Sequence, residues 1–224
     1  MCGRFVLEIS LEQLMKVYRL SSIPNLSPRY NIAPRQHVAV VREQYGGDRE
    51  LTLMQWGLVP SWSKDRAIGY KMINARSETA HEKPSFKQAF HARRCVIPAS
   101  GFYEWEKSGG EKIPHYIHFR DGTVMSLAGL WEQWTSPDGE TLPTCTILTT
   151  TANSLIKTLH DRMPVILHRD EIDLWLDRHS DDIKRLTSLF HPYPSDQLEQ
   201  YVVTRQVNSP INDFPGCVTP VKQD

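Results

Sequence analysis

The 224-residue sequence predicts one α+β domain spanning residues 1–224, on three observations. Strand-like runs dominate the middle of the chain, three Gly-containing turns separate them, and helical periodicity is confined to the flanks. No repeat, low-complexity tract or linker divides the sequence.

In chain order, "SLEQLMKVYRL" (10–20) reads as a helix, with Ser10 and Gln13 spaced as a capping box and Leu11, Leu14, Met15 and Tyr18 on one face. "HVAVV" (37–41) and "LTLMQWGLV" (51–59) read as strands joined through the hairpin signal "YGGD". "PSFKQAFH" reads as a short helix with Pro84 in its first turn. From "RCVIPASGFYEWEK" to "TCTILTT", the turns "SGGEK", "RDGT" and "SPDGE" predict an antiparallel meander. "TANSLIKTLH" reads as a helix that Pro164 prevents from continuing, "RDEIDLWLDR" and "SDDIKRLTSLF" as helices with acidic first turns, and "QYVVTRQV" as a late strand.

The composition, 40 % hydrophobic and 23 % charged, is that of an ordinary soluble globular protein. No apolar run approaches the roughly 18 residues of a membrane span. Glu8 and Glu12 interrupt any secretory signal, so a cytoplasmic protein without membrane contact is expected. The net charge of zero hides an asymmetry: residues 1–120 hold 18 Lys/Arg against 11 Asp/Glu, and residues 121–224 hold 8 against 15. This fits a basic face for a polyanion as well as charges dispersed over a solvated surface.

Cys2, Cys95, Cys145 and Cys217 form no C-x-x-C pair, and the histidines show no metal spacing, so neither a metal nor a cofactor is expected. Cys95 and Cys145 lie in apolar strand-like runs and read as buried thiols. Cys2 differs, because removal of Met1 would give it an α-amine of pKa about 7.7–8.0 beside a thiol of about 8.5, both with a usable reactive fraction near neutrality. An amine attacking an aldehyde gives an imine, and the adjacent thiol can close on it as a five-membered thiazolidine.

Three further stretches offer chemistry. In "NARSET", Asn74 and Arg76 share a face if the segment is extended, one able to hold an amine or thiol and the other to hold phosphate. In "GFYEW", Glu104 sits between Tyr103 and Trp105, where poor hydration raises a carboxyl pKa and suits proton transfer. In "LHDRMP", His160 and Arg162 stand at a helix end, the histidine titrating near neutrality. Each also has a plain structural reading as a turn, cap or surface residue.

Together "MCGRF" (1–5), "YNIAP" (30–34), "WGLVPSW" (56–62), "NARSET" (74–79), "GFYEW" (101–105) and "HDRMP" (160–164) resemble, in order and spacing, the SRAP family of abasic-site-processing proteins over nearly the whole chain. The resemblance implies an antiparallel β-barrel-like core with peripheral helices, and a monomer whose basic groove takes single-stranded DNA or a single-strand/duplex junction. It implies that Met1 is removed and that Cys2 links to the ring-opened aldehyde of an abasic site. Asn74 would position the nucleophile, Glu104 assist imine formation, and His160 act as the acid/base that opens the sugar ring and reverses the adduct. Arg4, Arg76 and Arg162 would contact phosphates, and Thr149 would add a hydroxyl contact. Self-processing peptidase activity at Met1 and weak strand cleavage at the abasic site are further implications. Relatives can carry paired tryptophans after W-G-x-x-P, whereas "SWSKD" here offers Trp62 alone, and the basic residue expected just before Phe86 is displaced to Lys83.

A second reading is an N-terminal-nucleophile amidohydrolase or peptidase, since glutamine amidotransferases of that type also begin Met-Cys-Gly and use the α-amine as base. A third is a binding module without covalent chemistry.

Overall fold

The structure is a computed structural model describing residues 2–221, with the main chain alone at Lys107 and Ser108; Met1, whose removal the sequence leads one to expect, lies outside the described residues. Strand β1 (Phe5–Leu7) is followed by helix α1 (Leu11–Tyr18). The capping box forms as read: Ser10 Oγ accepts from the Gln13 main chain, and Gln13 Oε1 accepts from the Ser10 main chain. Such a cap stabilises a helix by about 1 kcal/mol. The helix buries Leu14 and Tyr18, whose hydroxyl meets Ser126 Oγ at 2.9 Å.

Strand β2 (Arg29–Ile32) precedes the hairpin β3 (His37–Glu43) and β4 (Arg49–Trp56), which pairs from His37↔Gln55 to Glu43↔Arg49. Short strand β5 (Asn74–Arg76) leads to α2 (Lys87–Ala92). That helix starts later than expected, because Pro84 sits inside a preceding turn closed by the Lys87 N–H on the Lys83 carbonyl at 2.8 Å.

Next come β6 (Arg94–Ala99), β7 (Gly101–Ser108), β8 (Glu111–Phe119), β9 (Met125–Thr135) and β10 (Thr141–Thr151). The expected continuous meander is corrected here. β7 pairs with β8 and β9 with β10, but β8 and β9 belong to different sheets, so "RDGT" crosses between layers instead of closing a hairpin. The run read as one strand over "RCVIPASGFYEWEK" also breaks at Ser100, where its main chain donates to Val6 and its hydroxyl accepts from the Glu8 N–H. Neither break is visible to a two-residue period, which reports exposure along a strand and not which sheet it joins.

The expected helix over "TANSLIKTLH" is reduced to one 3-10 turn, Ile156–Thr158. Asn153 pins its start by accepting from the Ile156 N–H and donating to the Tyr193 carbonyl, and the Ala152 N–H already reaches the Asp161 carbonyl at 3.0 Å. The chain has doubled back before a helix can extend. Strands β11 (Arg162–Pro164) and β12 (Ile166–Leu167), helices α3 (Ile172–Leu176) and α4 (Ile183–Thr187), and strand β13 (Leu198–Val202) complete the elements used below.

Two sheets organise the single mixed α/β domain. In the first, β10 runs parallel to β4, and the antiparallel pairs β4–β3, β3–β6, β6–β9 and β9–β10 return to the start. The ring is a closed five-stranded barrel, and closure leaves those strands no open edge. β5 and β11 extend it along β10, and β12 along β9. The second sheet is antiparallel, ordered β13-β8-β7-β1-β2, with β1 in an interior position. Trp56, Trp175, Tyr18, Phe5, Phe90 and Phe102 are all fully buried. Each such apolar side chain contributes roughly 1.5–3 kcal/mol against exposure.

Candidate functional site

The chain enters the fold through the second sheet. Phe5 pairs with Phe102 and Val6 with Gly101, and the Tyr103 N–H donates to the Arg4 carbonyl at 2.9 Å. Carrying that register back brings Gly3 opposite Glu104. From the barrel side, Asn74 on β5 donates its Nδ2–H to the Cys2 carbonyl at 2.8 Å. The Asn74 Oδ1 is buried without a hydrogen-bond partner among the described residues. The first described residue is thus tied to both sheets, at their junction.

The Cys2 side chain is fully buried, and its sulfur makes only a long contact, 3.9 Å, to the Arg4 carbonyl. Burial, reinforced by the negative charge of Glu104, pushes the thiol up to about 12. The sulfur has left water, and that burial disfavours its anion.

Glu104, on β7, is 4 % exposed. Burial raises its carboxyl above the ordinary range. The carboxyl is thus poorly hydrated, as expected, although along a strand Tyr103 and Trp105 point to the opposite face from it. Glu104 and His160 line one cavity of about 510 Å³ with Gly3, Arg4, Trp105, Lys112 and Asn208. His160 follows the 3-10 turn, and its Nδ1 accepts from the Arg162 main-chain N–H at 3.0 Å.

Cys2, Asn74, Glu104 and His160 come from four distant segments and converge on this junction. The expected cationic contacts divide. Arg4 lines the cavity but is almost buried, its guanidinium donating to Asn31 Oδ1 at 2.6 Å and the Val207 carbonyl at 2.7 Å. Arg162 is held by both carboxylate oxygens of Glu78, at 2.5 and 2.8 Å, and by the Thr149 carbonyl. Arg76 is exposed at the end of β5, on the same strand face as Asn74. Trp62 is 59 % exposed, on a segment clamped at its base by Leu58 N–H to the Met72 carbonyl.

Thr149 does not offer the expected hydroxyl. It is fully buried in the pairing of β10 with β5 and β11, and its Oγ1 points to the Ala75 carbonyl at 3.4 Å. Seven consecutive β10 residues, 144–150, are buried, so neither face of the strand meets solvent there.

Three lining residues were not singled out from the sequence. Trp105 stood inside a quoted motif, and its Nε1–H donates to Asn208 Oδ1 at 2.6 Å while the Arg4 guanidinium lies 5.8 Å from its ring centre. Asn208 and Lys112 carry no local signal, since only folding brings them there. Asn31 of "YNIAP" supports the wall from behind, donating to the carbonyls of Val207, Ser209 and Asn212. Among the described residues no group of three His, Cys, Asp or Glu side chains is placed to hold a metal ion.

Residues 1–210 match the family described as SOS response associated peptidase (SRAP). The chain is 42 % identical over 222 residues to the abasic site processing protein YoqW of Bacillus subtilis, covering 97 % of this chain and 99 % of that one. It is 30 % identical to the abasic site processing protein HMCES of Xenopus tropicalis, covering 99 % of this chain and 78 % of the relative. A crystal structure of a protein from Bacteroides thetaiotaomicron superposes with a TM-score of 0.89 at 27 % identity, covering 99 % of this chain and 100 % of that one.

Proposed function

Since the chain belongs to the SOS response associated peptidase (SRAP) family, whose relatives are named abasic site processing proteins, we propose that it captures abasic sites in single-stranded DNA as a covalent adduct on Cys2. One observation carries this reading: the main chain of Cys2 is fixed by Asn74 beside the cavity that holds Glu104 and His160.

With Met1 removed, the α-amine of Cys2 attacks the aldehyde carbon of the ring-opened deoxyribose. A C–N bond forms, and loss of water gives the imine. Glu104, whose carboxyl burial raises above the ordinary range, supplies the proton that lets hydroxide leave as water. The thiol then adds across the C=N bond: a C–S bond forms, the S–H proton ends on nitrogen, and a five-membered thiazolidine results. No standing thiolate is needed, because the proton of the buried thiol can pass to the adjacent nitrogen as sulfur bonds to carbon. A tethered nucleophile of this kind can have an effective molarity of about 10⁵ M or more.

Selectivity follows from the electrophile, since intact deoxyribose presents no carbonyl. An imine that is not trapped can undergo β-elimination, so thiazolidine closure also limits strand cleavage. Single-strand/duplex junctions suit a site lying at the open junction of two sheets, and one copy of the chain holds all four residues. Peptidase activity in this reading is confined to excision of Met1.

The test mixes purified protein with single-stranded DNA carrying one abasic site and runs a denaturing gel. A heat-stable shifted band that disappears with Cys2→Ala is expected. An unshifted wild type, or a Cys2→Ala variant with the same band, defeats the proposal. Ammonia release from glutamine, which the amidohydrolase reading requires, is expected to be absent.

A further inference from the structure

The hydrogen bond from the Arg162 main chain to His160 fixes more than the ring's orientation. A main-chain N–H can only donate, so the Nδ1 that receives it at 3.0 Å carries a lone pair. The proton of the neutral ring then sits on Nε2, the nitrogen left for the cavity that His160 lines with Glu104. The donor is itself held. Arg162 begins β11, where it pairs with Thr151, and its guanidinium is gripped by both oxygens of Glu78 and by the Thr149 carbonyl.

We propose that His160 acts on the substrate as a neutral hydrogen-bond donor through Nε2, and that Glu78, by holding Arg162, is the positioning residue that keeps it in that tautomer. This rests on the capture of an abasic site described above and changes the expected division of labour. A neutral ring with Nδ1 occupied has no lone pair to offer the sugar, so it cannot serve as the base. When the ring-closed deoxyribose opens, the C1′–O4′ bond breaks as the C1′=O bond forms. The proton lost by the C1′ hydroxyl and the proton gained by O4′ both pass through the Glu104 carboxyl, which begins and ends protonated. His160 polarises the oxygen that gains charge.

The charged and titratable groups around His160 come from every neighbouring segment: Glu104 and Lys112 from the second sheet, Arg4 and Cys2 ahead of β1, Arg162 from β11, and Glu78 with Arg76 beside it. Glu78 stays ionised, because its hydrogen bonds from Arg162 hold its carboxyl below the ordinary range.

Two measurements on the whole protein test the assignment. The first is nitrogen-15 NMR of histidine-labelled protein without DNA, near neutral pH. The His160 ring is expected to show the Nε2–H pattern, and Glu78→Ala, or Glu78→Gln if the alanine variant fails to fold, is expected to give a mixture of tautomers. An Nδ1–H or imidazolium pattern in the wild type, or no change in either Glu78 variant, overturns the assignment. The second is the rate of adduct formation. His160→Ala is expected to lose about 10²-fold, the usual cost of one lost donor to a developing oxyanion. His160→Gln, whose amide N–H stands where Nε2–H stood, is expected to stay within about tenfold of wild type. Equal losses in the two variants overturn it. Absence of any wild-type adduct defeats the capture reading instead, and the NMR pattern then decides the tautomer alone.

Discussion

At Cys2 the main chain does as much as the sulfur. Its carbonyl is the acceptor for Asn74, so removing that side chain releases the residue whose amine attacks the aldehyde in the proposed capture. Asn74→Ala is expected to slow adduct formation by about 10²-fold, the order expected when a reacting group moves by 1 Å. Non-covalent affinity for undamaged single-stranded DNA should hold, which separates misplacement from lost binding. Glu104 makes a second case. Its folded carboxyl is raised by burial, so the stability it contributes is present below the ordinary carboxylate range and is lost as pH rises through the folded value. Glu104→Gln therefore trades function for stability. Its melting temperature should match wild type near pH 4 and exceed it near pH 8, with each 1 kcal/mol worth about 2–4 °C in a chain of this size. The same variant should lose adduct rate and, with it, the decline of that rate at rising pH.

Elements were legible where local pattern and tertiary role agree. Ser10 and Gln13 announced α1 because a capping box is complete within four residues. "YGGD" announced the β3–β4 hairpin because both strands flank it. The 3-10 turn at Ile156–Thr158 was read as a longer helix because Asn153 is held by Tyr193, forty residues further on, and nothing in "TANSLIKTLH" foretells that. The same distinction applies at the site. The poor hydration of Glu104 was expected but not its source, since Tyr103 and Trp105 face away from it along the strand, and the burial of Cys2 and the occupation of Arg162 by Glu78 likewise depend on contacts distant in sequence. The Trp62 segment gives a prediction at this scale. Gly57, at φ +126, backs onto Gly69 so closely that a Cβ would lie 2.6 Å from the Gly69 carbonyl oxygen. Gly57→Ala combines a left-handed backbone with a clash and should cost about 1–3 kcal/mol in a denaturant melt. Trp62→Ala leaves the fold alone and should weaken single-stranded DNA binding by about 1–3 kcal/mol, the usual contribution of one stacked base.

For the whole molecule, the charge asymmetry between the halves of the chain becomes a statement about salt. If Arg76 neutralises a phosphate, Arg76→Ala should lower the slope of log affinity against log salt by about 0.7, the value for one contact on a single strand. Arg4→Ala should act chiefly on stability, because its guanidinium is spent on Asn31 and Val207 inside the fold. A titration of binding against salt for the two variants distinguishes an arginine that meets DNA from one that holds up a wall.

The interior position of β1 also sets an order in time. Its neighbour β7 is translated about a hundred residues later, and its other neighbour, β2, offers only a short pair that a two-strand ribbon in water barely sustains. At about 5–20 residues per second, the N-terminus stays unpaired for roughly 5–20 s after it leaves the ribosome. Under the proposed capture on Cys2, an aminopeptidase would have that interval to remove Met1 before the sheet closes around it.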